Sequence, residues 1–203
     1  MARQQMNGYV IPDDGKVHVN FSSLKRCTTA KGVMAVIDEQ KNGRIPFENE
    51  AIRIGKLRHN QWEEEGRKTN MTPEDFKEHF QVKVDFIEHS FAVEIFKGVI
   101  LHFRPDVVSL SECAVIDYKK TVKGVRQFHN DMQLIVYAYG LQLLGHRIKK
   151  SVHLLEVWDK EATEILSYQM LDRPLALADI ARALKWIEER AVNLITAQNV
   201  LDS

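Results

Sequence analysis

The order of hydrophobic periodicities along this 203-residue chain predicts an α/β or α+β domain built on a mixed central β-sheet flanked by helices. Helical period dominates up to about residue 80. Alternation with a period of two takes over from 81 to 119, and a helix-length segment then precedes two further strand-like segments and a last long helix. That intervening helix is a plausible crossover between parallel strands, which makes the sheet mixed.

Residues 1–20 are polar, contain Pro12 and Gly15, and read as an arm or short strand. Ser22 and Ser23 suit N-caps of a helix from Leu24 to Gln40, which Asn42-Gly43 and Pro46 bring to an end. A second helix is expected from Phe47 to Lys68, anchored by Ile52, Leu57 and Trp62. Thr72-Pro73-Glu74-Asp75 resembles the cap and first turn of a short helix ending near Phe80. Val82, Val84 and Phe86 alternate with polar neighbours, then Phe91, Val93 and Ile95, then Leu101, Phe103, Pro105 and Val107. Cys113 to Ile116 leads into Asp117 as a short, apolar strand, completing a meander of about four strands. A helix from Gln127 to Leu144 ends at Gly145 in a C-cap position. Ser151–Trp158 and Glu164–Met170 read as strands. Pro174 opens the final helix, whose apolar face takes in Leu177, Ile180, Leu184, Ile187 and Leu194. One domain over 1–203 is expected, with the arm at 1–20, a helical part at 21–80 and the sheet core at 81–203.

Composition excludes several classes. The 28 basic and 28 acidic side chains balance, so any nucleic-acid binding must come from a local patch. Cys27 and Cys113 lack CxxC spacing, which suggests neither a disulfide framework nor a zinc site. No apolar run is long enough to span a membrane and the N-terminus lacks a signal-peptide core, so a cytoplasmic location is expected.

The chemistry concentrates around Pro105-Asp106 and Asp117-Tyr118-Lys119. Asp117 and Lys119 are two apart on a strand and share a face. Two carboxylates meeting at a strand edge can hold a hard cation such as Mg²⁺ or Mn²⁺, and a lysine beside them can steer a metal-bound water. Taken alone, the same residues also suit strand-end turns and a solvated face. Gly55-x-x-x-His59-x-x-x-Glu63 sits on one face of the second helix and adds an imidazole, a donor well suited to Mn²⁺. Gly55 costs about 1 kcal/mol relative to Ala inside a helix, which makes sense if a strand edge or a nucleic-acid backbone approaches there. Gln133 and Tyr137, four apart on the following helix, can support the lysine or grip a phosphate. Lys119, Lys120, Lys123 and Arg126, with Arg53, Lys56 and Arg58 around His59, form a positive patch suited to a phosphodiester track.

The ordered series Ser22-Ser23-Leu24-x-x-Cys27, Gly55-x-x-x-His59, Pro105-Asp106, Asp117-x-Lys119 and Gln133-x-x-x-Tyr137 resembles the RecB-type branch of the PD-(D/E)XK nuclease superfamily, over roughly residues 20–145. That branch includes CRISPR-associated and viral RecB-like nucleases. The resemblance implies a restriction-endonuclease-like core and a metal-dependent deoxyribonuclease acting on single-stranded DNA or DNA ends. It implies that His59, Asp106, Asp117 and the Tyr118 carbonyl hold Mg²⁺ or Mn²⁺, and that Lys119 positions or activates the attacking water. It further implies that Gln133 and Tyr137 support the site and contact DNA. Lys120, Lys123, Arg126 and Arg58 of the positive patch are the candidate DNA-binding cations. An acid on a preceding strand also often joins such sites; Glu88 and Glu94 are the candidates. Several relatives hold an iron–sulfur cluster on one N-terminal and three C-terminal cysteines. Here only Cys27 fits, so no cluster is expected. No Gly-x-x-x-x-Gly-Lys-Ser/Thr loop marks a helicase motor. The alternatives are a junction resolvase acting as a homodimer, and a non-catalytic DNA-binding subunit working with recombination or replication proteins. Absent cluster cysteines and compact length favour a stand-alone, virus-encoded nuclease.

Overall fold

A computed structural model describes residues 5–6, 9–10, 15–42, 50–161 and 163–201. The chain begins with the short antiparallel pair β1 (Gln5–Met6) and β2 (Tyr9–Val10), followed by β3 (Val17–Asn20). Three helices come next, α1 (Phe21–Arg26), α2 (Ala30–Asn42) and α3 (Glu50–Thr69). The strands β4 (Phe86–Ile87), β5 (Phe91–Phe96), β6 (Val99–Phe103), β7 (Val107–Ser109) and β8 (Ala114–Thr121) lead to α4 (Gln133–Leu143). The chain closes with β9 (Lys150–Trp158), β10 (Ile165–Pro174) and α5 (Leu177–Leu201).

The expected mixed sheet is five-stranded, in the order β10-β9-β8-β7-β4. Only β8 and β9 are parallel in it, and α4 makes the crossover between them as the sequence predicts. A separate three-stranded sheet, β3-β6-β5, has β3 parallel to β6, so Val17–Asn20 form the short strand that the sequence offers as the second reading of the N-terminal segment. The stretch from Leu101 to Val107 is therefore not one strand. It changes sheets at Arg104-Pro105-Asp106, where proline has no N–H to continue a ladder.

Local chemistry explains the other departures from sequence expectation. The helix read as 24–40 is two helices. Asn20, not Ser22 or Ser23, caps α1 by accepting the Ser23 N–H at 2.8 Å, and the Thr29 hydroxyl accepts the Gly32 N–H at 3.2 Å to start α2. The breakers Gly43 and Pro46, and the start of the helix read as 47–68, lie outside the described residues. Ile52 and Leu57 are exposed rather than anchoring; Trp62 alone of the three is buried. The short helix before Phe80 is a 3-10 turn, Glu74–Phe76. Of the strand read from Val82, only Phe86–Ile87 joins the sheet, with Lys83 in an isolated bridge to Met71. The helix read as 127–144 is a 3-10 turn at Gly124–Phe128 followed by α4, whose first N–H, on Gln133, is taken by Asp131 at 2.9 Å. Gly145 ends α4 as expected. At φ +87° it donates to Gln142, while His146 donates to Leu141, the paired bonds of a Schellman turn. Pro174 ends the edge strand β10 instead of opening α5. Leu177 and Leu184 are exposed, because the buried stripe of α5 is Ala183, Ile187, Ala191 and Leu194, whose small residues permit close packing.

Two cores flank the five-stranded sheet. α4 and α5 pack with Val108, Val115 and the three-stranded sheet on one side. On the other, Trp62 of α3, Phe76 and Phe80 cover Val107, Ile116, Tyr118 and Val152. No helix among the described residues is long and apolar enough to cross a membrane.

Candidate active site

Register places the acids. Ile87 pairs with Val107, Val107 with Ile116, and Ile116 with Val152, forming one apolar row across four strands. One residue further on, at the same end of the sheet, stand Glu88, Asp106, Asp117 and His153. Strands β4 and β7 stop there while β8 continues with β9 alone as its partner. Asp106 reaches across the opening, and its Oδ2 accepts the Tyr118 N–H at 2.6 Å. In an extended strand a residue's N–H and C=O point to the same side, so the Tyr118 carbonyl opens toward Asp106 as well.

His59 comes to this end from α3, which Trp62 fixes against Phe76 and Tyr118. Its Nε2 lies 3.1 Å from Asp106 Oδ2 and 3.2 Å from Glu88 Oε1. Glu88 is held in the left-handed region at φ +46°, with its N–H on the Asp106 carbonyl at 2.8 Å. A non-glycine residue in that region costs on the order of 1 kcal/mol, and such costs cluster at functional sites. Glu94, the other candidate acid, is elsewhere: it pairs with Lys16 at 2.9 Å and accepts the Gly98 N–H in the β5–β6 turn.

The electrostatics reflect the crowding. Burial, then the charge of Asp106, pushes the Glu88 carboxyl up to about 7, against His59 and Arg104. Burial disfavours a charged His59 ring, but the hydrogen bond and charge of Asp106, with Glu88 and Asp117, outweigh it and raise its pKa. Asp117 is buried and raised to about 6, first by burial and also by Asp106, with Lys119 and His153 opposing. Lys119 donates to Asp117 Oδ1 at 2.9 Å. Burial works against the Lys119 ammonium, but Asp117 and Asp106 dominate and hold it firmly protonated.

His59, Glu88 and Asp106 offer ligand atoms within 4.8 Å of one another, a metal-sized group among the described residues. Asp117 stands beside this trio rather than in it. Its Oδ2 is buried without a hydrogen-bond partner, an acceptor that a nearby cation would satisfy. An imidazole with several carboxylate oxygens is a donor set that fits Mn²⁺ or Mg²⁺.

Gln133 and Tyr137 lie on the α4 side, joined by a 3.2 Å bond from Gln133 Nε2 to the Tyr137 hydroxyl. Burial and then the charge of Asp117 raise the Tyr137 pKa, so the phenol faces the acids as a neutral group. Sequence reasoning missed Asp131 and His153. Asp131 Oδ2 lies 3.3 Å from His153 Nε2, and its charge acts on Lys119. The available signal was a histidine set among Val152, Leu154 and Leu155 in β9. The cations divide. Lys123 and Arg126 are exposed after β8, available to a long anion. Arg58 is not: its guanidinium holds buried Glu156 at 2.8 Å through Nε and Asp75 at 3.0 Å. Lys120 is likewise engaged, its buried Nζ 3.7 Å from the Trp158 ring centroid. Nothing in the described chain lies within 4 Å of a Cβ built on Gly55, so no strand edge explains that glycine. Cys27 is packed in the core and donates to the Ser23 carbonyl at 3.2 Å.

No family model matches the sequence, and no curated protein is similar enough to match. Solved structures are similar in fold at low identity. LHK-Exo, an alkaline exonuclease from Laribacter hongkongensis solved in complex with dAMP, superposes with a TM-score of 0.56 at 13% identity, over 92% of this chain and 91% of that one. A protein from Eubacterium rectale named as an exonuclease gives 0.58 at 14% identity, over 91% and 82%. SSO0001 gives 0.52 at 17% identity, over 90% and 78%. The chain shares the restriction-endonuclease-like fold of the proteins named as exonucleases, a mixed sheet flanked by helices.

Proposed function

We propose that this chain is a divalent-metal-dependent deoxyribonuclease of RecB type that hydrolyses phosphodiester bonds in single-stranded DNA or at DNA ends. The observation that carries the reading is the convergence of Glu88, Asp106 and Asp117 with His59 at one sheet end, beside the protonated Lys119. The fold shared with proteins named as exonucleases supports it.

His59, Glu88, Asp106 and Asp117, with the Tyr118 carbonyl, would hold Mg²⁺ or Mn²⁺. Such an ion supplies Lewis acidity and a bound water of lowered pKa. The protein's own groups do the rest. Tyr118 N–H and His59 fix the Asp106 carboxylate in place. Lys119, kept protonated, orients the attacking water and stabilises charge that develops on the phosphoryl oxygens, an interaction stronger in the transition state than in the ground state. Gln133 and Tyr137 wall the Asp117–Lys119 pair on the α4 side. Lys123 and Arg126 are the cations left to track the DNA backbone.

Purified protein incubated with single-stranded, duplex and four-way-junction DNA tests the proposal. Cleavage is expected with Mg²⁺ or Mn²⁺ and none with EDTA. Asp106→Ala, Asp117→Ala and Lys119→Ala are expected to abolish it while leaving the circular dichroism spectrum intact. Full metal-dependent activity in Lys119→Ala would sink the mechanism.

A further inference from the structure

The acid cluster has one cationic neighbour that the sequence motifs do not assign. Arg104 sits where the chain leaves one sheet for the other, two residues before Asp106. Its Nε lies 2.8 Å from Glu88 Oε2 in an ion pair, while Glu88 Oε1 faces His59. The acid thus has two sides, one toward the ligand cluster and one toward the arginine. The Arg104 side chain remains 48% exposed, and no acid other than Glu88 pairs with it among the described residues. A half-exposed guanidinium held near one carboxylate still offers N–H donors in a planar fork matched to a phosphate or carboxylate. Other arginines near the site lack that freedom: Arg58 is consumed by Glu156 and Asp75, and Arg67 by Glu63.

We propose that Arg104 is a catalytic residue that grips a phosphate of the DNA at the cluster. This rests on the nuclease reading and deepens it. Glu88 aims the guanidinium, and the same carboxylate belongs to the ligand group, so phosphate contact and cation binding share one side chain. The ligand chemistry is a phosphate oxygen pair, supplied either by an in-chain phosphodiester or by a 5′-terminal phosphate.

The test compares wild type, Arg104→Ala and Arg104→Lys on duplexes carrying a 5′-phosphate or a 5′-hydroxyl, with Mn²⁺ titrated for each protein and DNA. Arg104→Ala is expected to lose on the order of 10²-fold in kcat/KM, with the half-saturating Mn²⁺ concentration little changed. Arg104→Lys is expected to recover part of that loss. A loss equal on both duplexes assigns the grip to an in-chain phosphate; a loss confined to the 5′-phosphorylated duplex assigns it to the terminal one. The proposal is overturned if Arg104→Ala matches wild type, or if excess Mn²⁺ restores it fully, which would mean that Arg104 only steadies Glu88. Absence of metal-dependent cleavage by wild type would instead overturn the nuclease reading itself.

Discussion

The apolar row Ile87, Val107, Ile116 and Val152 crosses four strands, and the polar row Glu88, Asp106, Asp117 and His153 stands one residue further on, past the ends of β4 and β7 and within β8 and β9. The first packs under Trp62 and Phe76. The second gathers acids whose charges disfavour one another, with Glu88 pushed up to about 7 and Asp117 to about 6, burial being the first cause of each and Asp106 a further one. Because side chains alternate along a strand, that one-residue step turns Asp117 and His153 to the face opposite Ile116 and Val152. Glu88 and Asp106 lie just past the ends of β4 and β7, where His59 of α3 reaches them. Binding of the chain to itself thus stops at one row, and chemistry can begin at the next.

Truncation in the two rows should have opposite consequences. Ile116 is fully buried, so Ile116→Ala is expected to cost about 2–5 kcal/mol of stability, while molecules that remain folded keep their cleavage rate. Asp106→Ala is expected to do the reverse, with cleavage below detection and denaturant unfolding shifted far less. Chemical denaturation and initial rates per folded molecule measure both. Equal stability losses in the two variants would mean that the acid row is part of the scaffold.

The two rows also differed in how far the sequence disclosed them. Asp106, Asp117 and Lys119 were legible because they lie close in sequence, and His59, Gln133 and Tyr137 because helical spacing joins them to a motif. The crossover of α4 between β8 and β9 was legible because an apolar, helix-length segment closed by Gly145 separates two strand-like runs. Glu88 could only be narrowed to a pair with Glu94, since what selects it is a backbone twist at φ +46° and the register of β4 on β7. Arg104 and Pro105 looked like part of one alternating strand, because alternation does not reveal that successive segments enter different sheets. Arg58 and Lys120 were misread as surface cations. Their partners, buried Glu156 and half-buried Trp158, lie on β9, brought alongside by parallel pairing that short-range patterns do not report. Leu177 and Leu184 misled because alanines, weak signals of burial, carry the packed stripe of α5.

A smaller, graded effect comes from titration of the polar row. Between the ordinary Glu value of 4.5 and about 7, an unfolded chain has released the Glu88 proton while the folded one still holds it. Asp117 behaves likewise from 3.8 to about 6. His59 has its pKa raised above 6.5, so the stability it contributes is present below that value and lost as pH rises through the folded pKa. All three therefore remove stability as pH climbs across this window in EDTA. A divalent ion needs the deprotonated carboxylates, so its stabilisation should grow over the same range. Thermal unfolding of wild type and Glu88→Gln, from pH 4.5 to 8, with EDTA or Mn²⁺, measures this. The wild-type midpoint should fall relative to Glu88→Gln in EDTA and gain more from Mn²⁺ as pH rises. Parallel curves for the two proteins would remove Glu88 from the titrating set.

The smallest expected effect separates the site side of α3 from the packed side of α4. A Cβ on Gly140 would meet the Phe103 ring at 2.6 Å, and that ring is buried at the end of β6. Gly140→Ala is therefore expected to cost about 1–3 kcal/mol through overpacking. Gly55, on the His59 face of α3, meets nothing within 4 Å. Gly55→Ala should then gain about 1 kcal/mol from helix propensity alone. Urea unfolding of the two variants checks both signs. If Gly55→Ala is more stable yet cleaves DNA more slowly at saturating Mn²⁺, the glycine is kept for an approach from outside the chain, along the face that carries His59. If it is more stable and fully active, the DNA does not pass there, and the helix tolerates the glycine without return.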